Sequence, residues 1–116
     1  MKPIGPYSPV VQAGELLFVS GQISSDLSLP VAEQTKQSLE NLRSVLRSAG
    51  ADLSQVVKTT VFLKNMTDFE VMNAVYASYF TQNPPARSTI EIARLPKDAL
   101  IEIEAVVYNP QKASNS

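Results

Sequence analysis

The chain has no cysteine and no histidine. The first absence rules out disulfides, thiolate nucleophiles and sulfur-ligated zinc or iron–sulfur centres. The second removes the commonest general base and the commonest metal ligand. Tryptophan is missing too, which argues against a small glycosidase built on Glu102 and Glu104, the one pair of carboxylates that alternation places on a common face. Cations are in no surplus: ten Lys and Arg, scattered singly, stand against eleven Asp and Glu, giving a net charge of −1 and a pI of about 5.3. That is a poor electrostatic footprint for nucleic acid. There is no Gly-rich phosphate loop, no GxSxG elbow and no helical pair of metal ligands. No apolar run approaches transmembrane length, and "MKPIGPYSPV" has neither the apolar core of a signal peptide nor the Arg-rich pattern of a transit peptide. A cytoplasmic location without membrane contact is the expectation. Any catalysis must run on carboxylates, Tyr, Ser, Thr, Lys, Arg and backbone groups, with no metal or other cofactor expected.

What remains is an ordinary globular composition. With 116 residues, 44% hydrophobic and 18% charged, the chain is long enough for one packed domain and too short for two. That domain is expected over 1–110, with 111–116 a polar tail. "VVQAGELLFVSG" gives two β-rich runs around "AGE", a hairpin. Val31, Thr35, Leu39, Leu42, Leu46 and Ala49 recur at helical spacing, and Gly50 stands where a C-terminal cap belongs. "VVKTTVFLK" reads as a central strand. "TDFE" matches a capping box, with Thr67 as N-cap, opening a helix to about Phe80 whose buried stripe is Phe69, Met72, Tyr76 and Phe80. Arg87 to Ala93 and Leu100 to Tyr108 are two more strands, joined through "RLPKD". The order ββαβαββ makes an α+β fold in which two helices cover one sheet face. The other face is left wet or buried against another subunit.

Period-two alternation sorts the last two strands. Arg87, Thr89 and Glu91 share one face of the first, and Glu102 and Glu104 share one face of the second. If the apolar residues lie under the helices, these polar sets point to the uncovered side. The stretch "PPARSTIEIARLPKDALIEIEA" is then either a half-wet hairpin with cross-strand ion pairs or the wall of a site. Asn73 falls inside the apolar stripe of the second helix, where an amide must find partners, either in a nearby loop or in a ligand. Tyr7 follows a Gly-Pro turn and reads as an edge-packing aromatic; Ser20 precedes Gly21 and reads as a hydroxyl bonded within its own turn. Gly21 suits a bulge or a close approach.

Taken together, "IGPYSPVVQAGELLFVSGQI", the long stretch from "VAEQTKQSLENL" to "NAVYASYF", and "PPARSTIEIARLPKDALIEIEAVV" resemble the RidA (YjgF) family of enamine/imine deaminases over most of the chain. "PARS" and "IEIEA" are the specific part of the match. The resemblance implies a chorismate-mutase-like fold, a homotrimer with its open sheet faces turned inward, and sites in clefts between subunits. It implies hydrolysis of 2-iminobutanoate and 2-iminopropanoate to 2-keto acids and ammonia. Arg87 would hold the substrate carboxylate and Glu102 the attacking water, with Tyr7, Ser20 and Asn73 shaping the cleft. Thr89 stands where the family often has Cys, and the loop "SSDLSLP" is shorter than the family's. The same resemblance leaves open a ribonuclease or translation inhibitor, and a non-catalytic ligand sensor or chaperone.

Overall fold

In the computed structural model, which describes residues 5–110, the chain runs β1 (Val10–Ala13), β2 (Leu16–Gln22), α1 (Val31–Ser48), β3 (Val56–Leu63), α2 (Phe69–Tyr79), β4 (Ala86–Glu91) and β5 (Ile101–Tyr108). This is the expected ββαβαββ order, with single 3-10 turns before β3, before α2 and before β5. The predicted tail at 111–116 lies outside the described residues.

Local chemistry accounts for most boundaries. β1 and β2 pair antiparallel through a two-residue turn in which Gly14 takes a φ of 61°, a conformation open to glycine at little cost. α1 buries Thr35, Leu39, Leu42 and Leu46. It ends in a complete Schellman motif: Gly50, at φ 80°, donates to Arg47, and Ala51 donates to Leu46. The "TDFE" capping box does not form. Asp68 is the N-cap of α2, with no side-chain cap bond, because residues 66–68 have already coiled into a 3-10 turn that satisfies the first donors. The capping box that does form is one turn before β3, between Asp52 and Gln55.

The sheet order is β1-β2-β5-β3-β4, antiparallel except for β3 and β4, which are parallel. This overturns the hairpin reading of the last two strands, since β3 lies between them. The reason is the connection: β3–α2–β4 is a crossover through a helix, and such a unit returns its second strand parallel to the first and beside it. β5 then crosses to the other side of β3 and fills the gap left against β2. β4 is an edge strand.

One face of the sheet is sealed by the helices, through Leu17, Val19, Val61, Leu63, Ile101, Ile103 and Val107 against Leu39, Leu42, Leu46, Met72 and Tyr76. The other face carries Phe18, Val57, Ile90 and Tyr108 at 43–46% exposure. Ile90 is the second correction. The β4 residues expected under the helices face outward, and Arg87 and Thr89 turn toward α2 instead. An edge strand flanks the helix layer rather than lying beneath it, so a long polar side chain can close the rim there.

Four polar residues of α1, invisible to an apolar-stripe reading, tie down the segment after β2. Gln37 Oε1 accepts from Ser24 Oγ and from the amides of Ser25 and Asp26. Ser38 and Asn41 donate to the carbonyls of Gln22 and Ile23. Gln34, only 1% exposed, donates to the carbonyls of Leu27 and Leu29 and accepts from the Leu100 amide, joining this loop to the start of β5.

Candidate active site

Arg87 sits near the start of β4, opposite Thr59 of β3. Its guanidinium Cζ lies 4.8 Å from the Tyr76 ring centroid and 5.6 Å from that of Phe69, both on α2. Among the described residues no carboxylate comes within ion-pair distance of it. A guanidinium stacked on aromatic faces keeps the edge donors of its planar fork unspent. Two further polar atoms in the same region are buried without any partner among the described residues: Asn73 Oδ1 and Thr89 Oγ1. Asn73 is one helical turn from both Phe69 and Tyr76. Thr89 is two residues beyond Arg87 on the same strand face. Unpaired buried polar atoms each cost about 1–3 kcal/mol unless a ligand or water meets them. The seam between α2 and β4 therefore gathers an unpaired cation and two unsatisfied hydrogen-bonding groups.

The second group lies elsewhere. Glu102 is on β5, opposite Phe62, and points to the open face. The β2–β5 register shifts between Val19 and Gln22, so Ser20 and Gly21 form a bulge beside it. Gly21 leaves room for the carboxyl there: an added Cβ would lie 2.5 Å from Glu102 Cδ and 2.8 Å from its Cγ, so the Glu102 side chain would have to move. Ser20 Oγ donates to the Ser8 carbonyl at 2.6 Å, and the Ser20 amide donates to the Pro9 carbonyl. The hydroxyl thus pins the lead-in segment rather than its own turn, correcting the sequence reading, and its lone pairs stay free. Tyr7, just before Ser8 in that segment, is 51% exposed. Burial raises the Glu102 pKa, and Glu104 two residues on raises it further.

The two groups do not meet within one chain. β3 separates the strands that carry Arg87 and Glu102, and three residues along β3 separate their partners Thr59 and Phe62. Their Cα atoms are accordingly about 14 Å apart, with the side chains on opposite faces of the sheet. The sequence expectation that both charges share one face is therefore wrong. A substrate of a few carbon atoms cannot touch both in a single copy. One half offers a guanidinium and two unsatisfied hydrogen-bonding atoms; the other offers a half-buried carboxyl whose pKa is raised.

A concavity elsewhere has a different character. A groove of about 580 Å³ between α1 and α2 is lined by Lys36, Glu40, Arg43 and Tyr79. There Tyr79 donates to Glu40 at 2.6 Å, and Arg43 pairs with Glu40 at 3.2 Å while stacking on the Tyr79 ring. Burial and the Glu40 hydrogen bond push the Tyr79 pKa to about 12. These groups satisfy one another and hold the helices together. No helix among the described residues is long and apolar enough to cross a membrane. No cluster of potential metal ligands occurs among them either.

Sequence reasoning did not assign Phe69 and Tyr76 to the site, because at helical spacing with Met72 they read as core. The signal was Asn73, set between them on the same stripe.

The model of the family described as Endoribonuclease L-PSP matches residues 1–109. A RutC family protein of Pyrococcus horikoshii is 50% identical, over 92% of this chain and 90% of its own length. The 2-iminobutanoate/2-iminopropanoate deaminase of Escherichia coli K12 is 44% identical, over 89% of this chain and 87% of its own. The crystal structure of the E. coli YjgF gene product superimposes with a TM-score of 0.86 at 43% identity, covering 91% of this chain and 90% of that one.

Proposed function

The chain belongs to the Endoribonuclease L-PSP (YjgF/RidA) family, and from that premise we propose that it is a 2-iminobutanoate/2-iminopropanoate deaminase, the activity carried by its relative's name. The observation that carries this reading is Arg87: a guanidinium held on aromatic faces with no carboxylate partner among the described residues. Its fork is matched to the two oxygens of a 2-imino acid carboxylate. Asn73 Oδ1 and Thr89 Oγ1, buried and unpaired, suit the imine nitrogen and a carboxylate oxygen.

The reaction is R–C(=NH)–COO⁻ + H₂O → R–CO–COO⁻ + NH₃. Water adds to the imine carbon, giving a carbinolamine that collapses to the ketone as ammonia leaves. Glu102 would take the proton from the attacking water and return it to the departing nitrogen, a task helped by its raised pKa. Tyr7 and Ser20 would line the water side. The rest is positioning, which alone shortens such reactions greatly.

Since the halves lie on opposite faces, the working site takes Arg87 from one copy and Glu102 from the next. Two unlike surfaces meeting head to tail form a closed ring when the rotation closes, and the homotrimer implied by the family resemblance is that ring. The exposed Phe18, Val57, Ile90 and Tyr108 supply apolar area for it.

The test generates 2-aminoacrylate with a serine dehydratase and follows keto-acid release. We expect acceleration by the wild type and a loss of at least about 100-fold in Arg87→Ala and Glu102→Gln. No acceleration, or full activity in Arg87→Ala, overturns the reading. The ribonuclease in the family's description finds no basic stripe on a chain of net charge −1. RNA cleavage that co-purifies with the protein and is lost in a point variant would favour it instead.

A further inference from the structure

We propose that Tyr76 is a positioning residue for the carboxylate seat: locked by Thr59, its ring fixes the plane of the Arg87 guanidinium, and so sets affinity for 2-oxo and 2-imino acids. This inference rests on the reading of Arg87 as the carboxylate-binding group. It starts from three contacts. Tyr76 is 5% exposed, and its hydroxyl meets Thr59 Oγ1 at 2.7 Å, with both groups buried. Thr59 is the register partner of Arg87 across β3 and β4. The guanidinium lies 4.8 Å from the Tyr76 ring centroid, nearer than the 5.6 Å to Phe69.

Consider what else could orient Arg87. It has three or more torsions to settle, sits on an edge strand, and finds no carboxylate among the described residues. An ion pair would orient it but would also consume the donors that a substrate needs. An aromatic face orients it through the ring's quadrupole and leaves those donors free. For that to work, the ring itself must not swing. Tyr76 is held at its far end by Thr59, on the strand adjacent to Arg87, and flanked by Phe80 with ring centroids 4.7 Å apart at 41°. The hydroxyl bond thus ties the platform to the sheet register that places the cation. A Tyr serving only as core filler would need a partner for its hydroxyl, but it would not need a cation over its face.

The test measures binding of 2-oxobutanoate to the assembled protein by calorimetry, together with KM and kcat for the imine, in Tyr76→Leu, Tyr76→Phe, Thr59→Val and Arg87→Ala. The loss of one such contact predicts about a five- to tenfold rise in Kd and KM for Tyr76→Leu, with kcat changed far less. Tyr76→Phe and Thr59→Val both keep a ring and both lose the bond that locks it, so each should fall between wild type and Tyr76→Leu. A merely structural role would lower the melting temperature and leave Kd per folded molecule unmoved, and that result overturns the proposal. If Tyr76→Leu does not fold, the Arg87 Nε–Hε resonance of the wild type decides. A ring-current shift upfield, retained in Tyr76→Phe, is expected; a shift typical of an unstacked arginine overturns it. Arg87→Ala separates the two levels. If it binds 2-oxobutanoate normally, the carboxylate-seat reading fails. If it loses binding while Tyr76→Leu does not, that reading stands and only the role of Tyr76 fails.

Discussion

Gly21 shows how a single residue can carry a site without touching a ligand. It lies in the β2 bulge with the Glu102 side chain packed over its Cα. Its φ is not in the left-handed region, so alanine is tolerable to the backbone, and only the carboxyl must move. Gly21→Ala should therefore lower kcat by at least about tenfold, the cost of a misplaced proton-transfer group, with little change in melting temperature; activity and thermal unfolding measured side by side will check it. Glu102 itself makes a pH prediction. Its folded pKa is raised, first by burial and then by Glu104. The stability it contributes is greatest below its unfolded pKa and is lost as pH rises through the folded one. In the proposed reaction activity runs the opposite way, because Glu102 as base must be deprotonated, so kcat/KM should climb with pH along a limb displaced above the ordinary Glu value. Glu104→Gln should move that limb toward acid, while a limb unmoved by this change would show that burial alone sets it. At this scale the sequence was informative about identity and silent about direction. Arg87 and Glu102 both stand out by alternation, but alternation says which residues share a face and not which face looks at the helices.

At the scale of elements, periodicity and turn residues located both helices and all five strands, most clearly α1, β3 and β5, which bury a patterned face. Boundaries that depend on hydrogen bonds rather than burial were less legible. The capping box at Asp52 and Gln55 was missed, and the one at Thr67 does not exist, since three turn residues usurp its place. The polar stripe of α1 was missed for a related reason: Gln34 and Ser38 look like solvent-facing residues until a loop folds over them. Gln34 serves three backbone groups in two loops, at Leu27, Leu29 and Leu100. Gln34→Ala strands all three and should cost about 3 kcal/mol in chemical denaturation. Gly50→Ala is the milder counterpart. At φ 80° an L side chain is strained, and about 1 kcal/mol should be lost, with activity per folded molecule unchanged because Gly50 is none of the candidate site residues.

For the whole molecule, the missing second layer was legible from the count of helices alone, and the exposed Phe18, Val57, Ile90 and Tyr108, beside Glu102 and Glu104, bear it out as an uncovered sheet face. What could not be read was that the two functional halves are separated by that sheet. The crossover through α2 decides it, by putting β4 beside β3 and sending β5 to the other side. This geometry makes a prediction that no site within one chain shares. Arg87→Ala keeps an intact Glu102 half, and Glu102→Gln keeps an intact Arg87 half. Each alone should be inactive. Co-expressed so that copies mix at random in a closed ring, they should regain activity, because an interface joining Arg87 of one chain to Glu102 of the other is fully wild type. With equal amounts, about one interface in four has that composition, so about a quarter of wild-type activity should return. A chain carrying both substitutions, mixed in equal amount with wild type, is the control: only interfaces between two wild-type chains work, so about a quarter of the activity should remain, below the half that simple dilution leaves. If the single variants, mixed and shown by mass spectrometry to share assemblies, stay inactive, then the halves belong to different sites and the catalytic pairing of Arg87 with Glu102 is wrong.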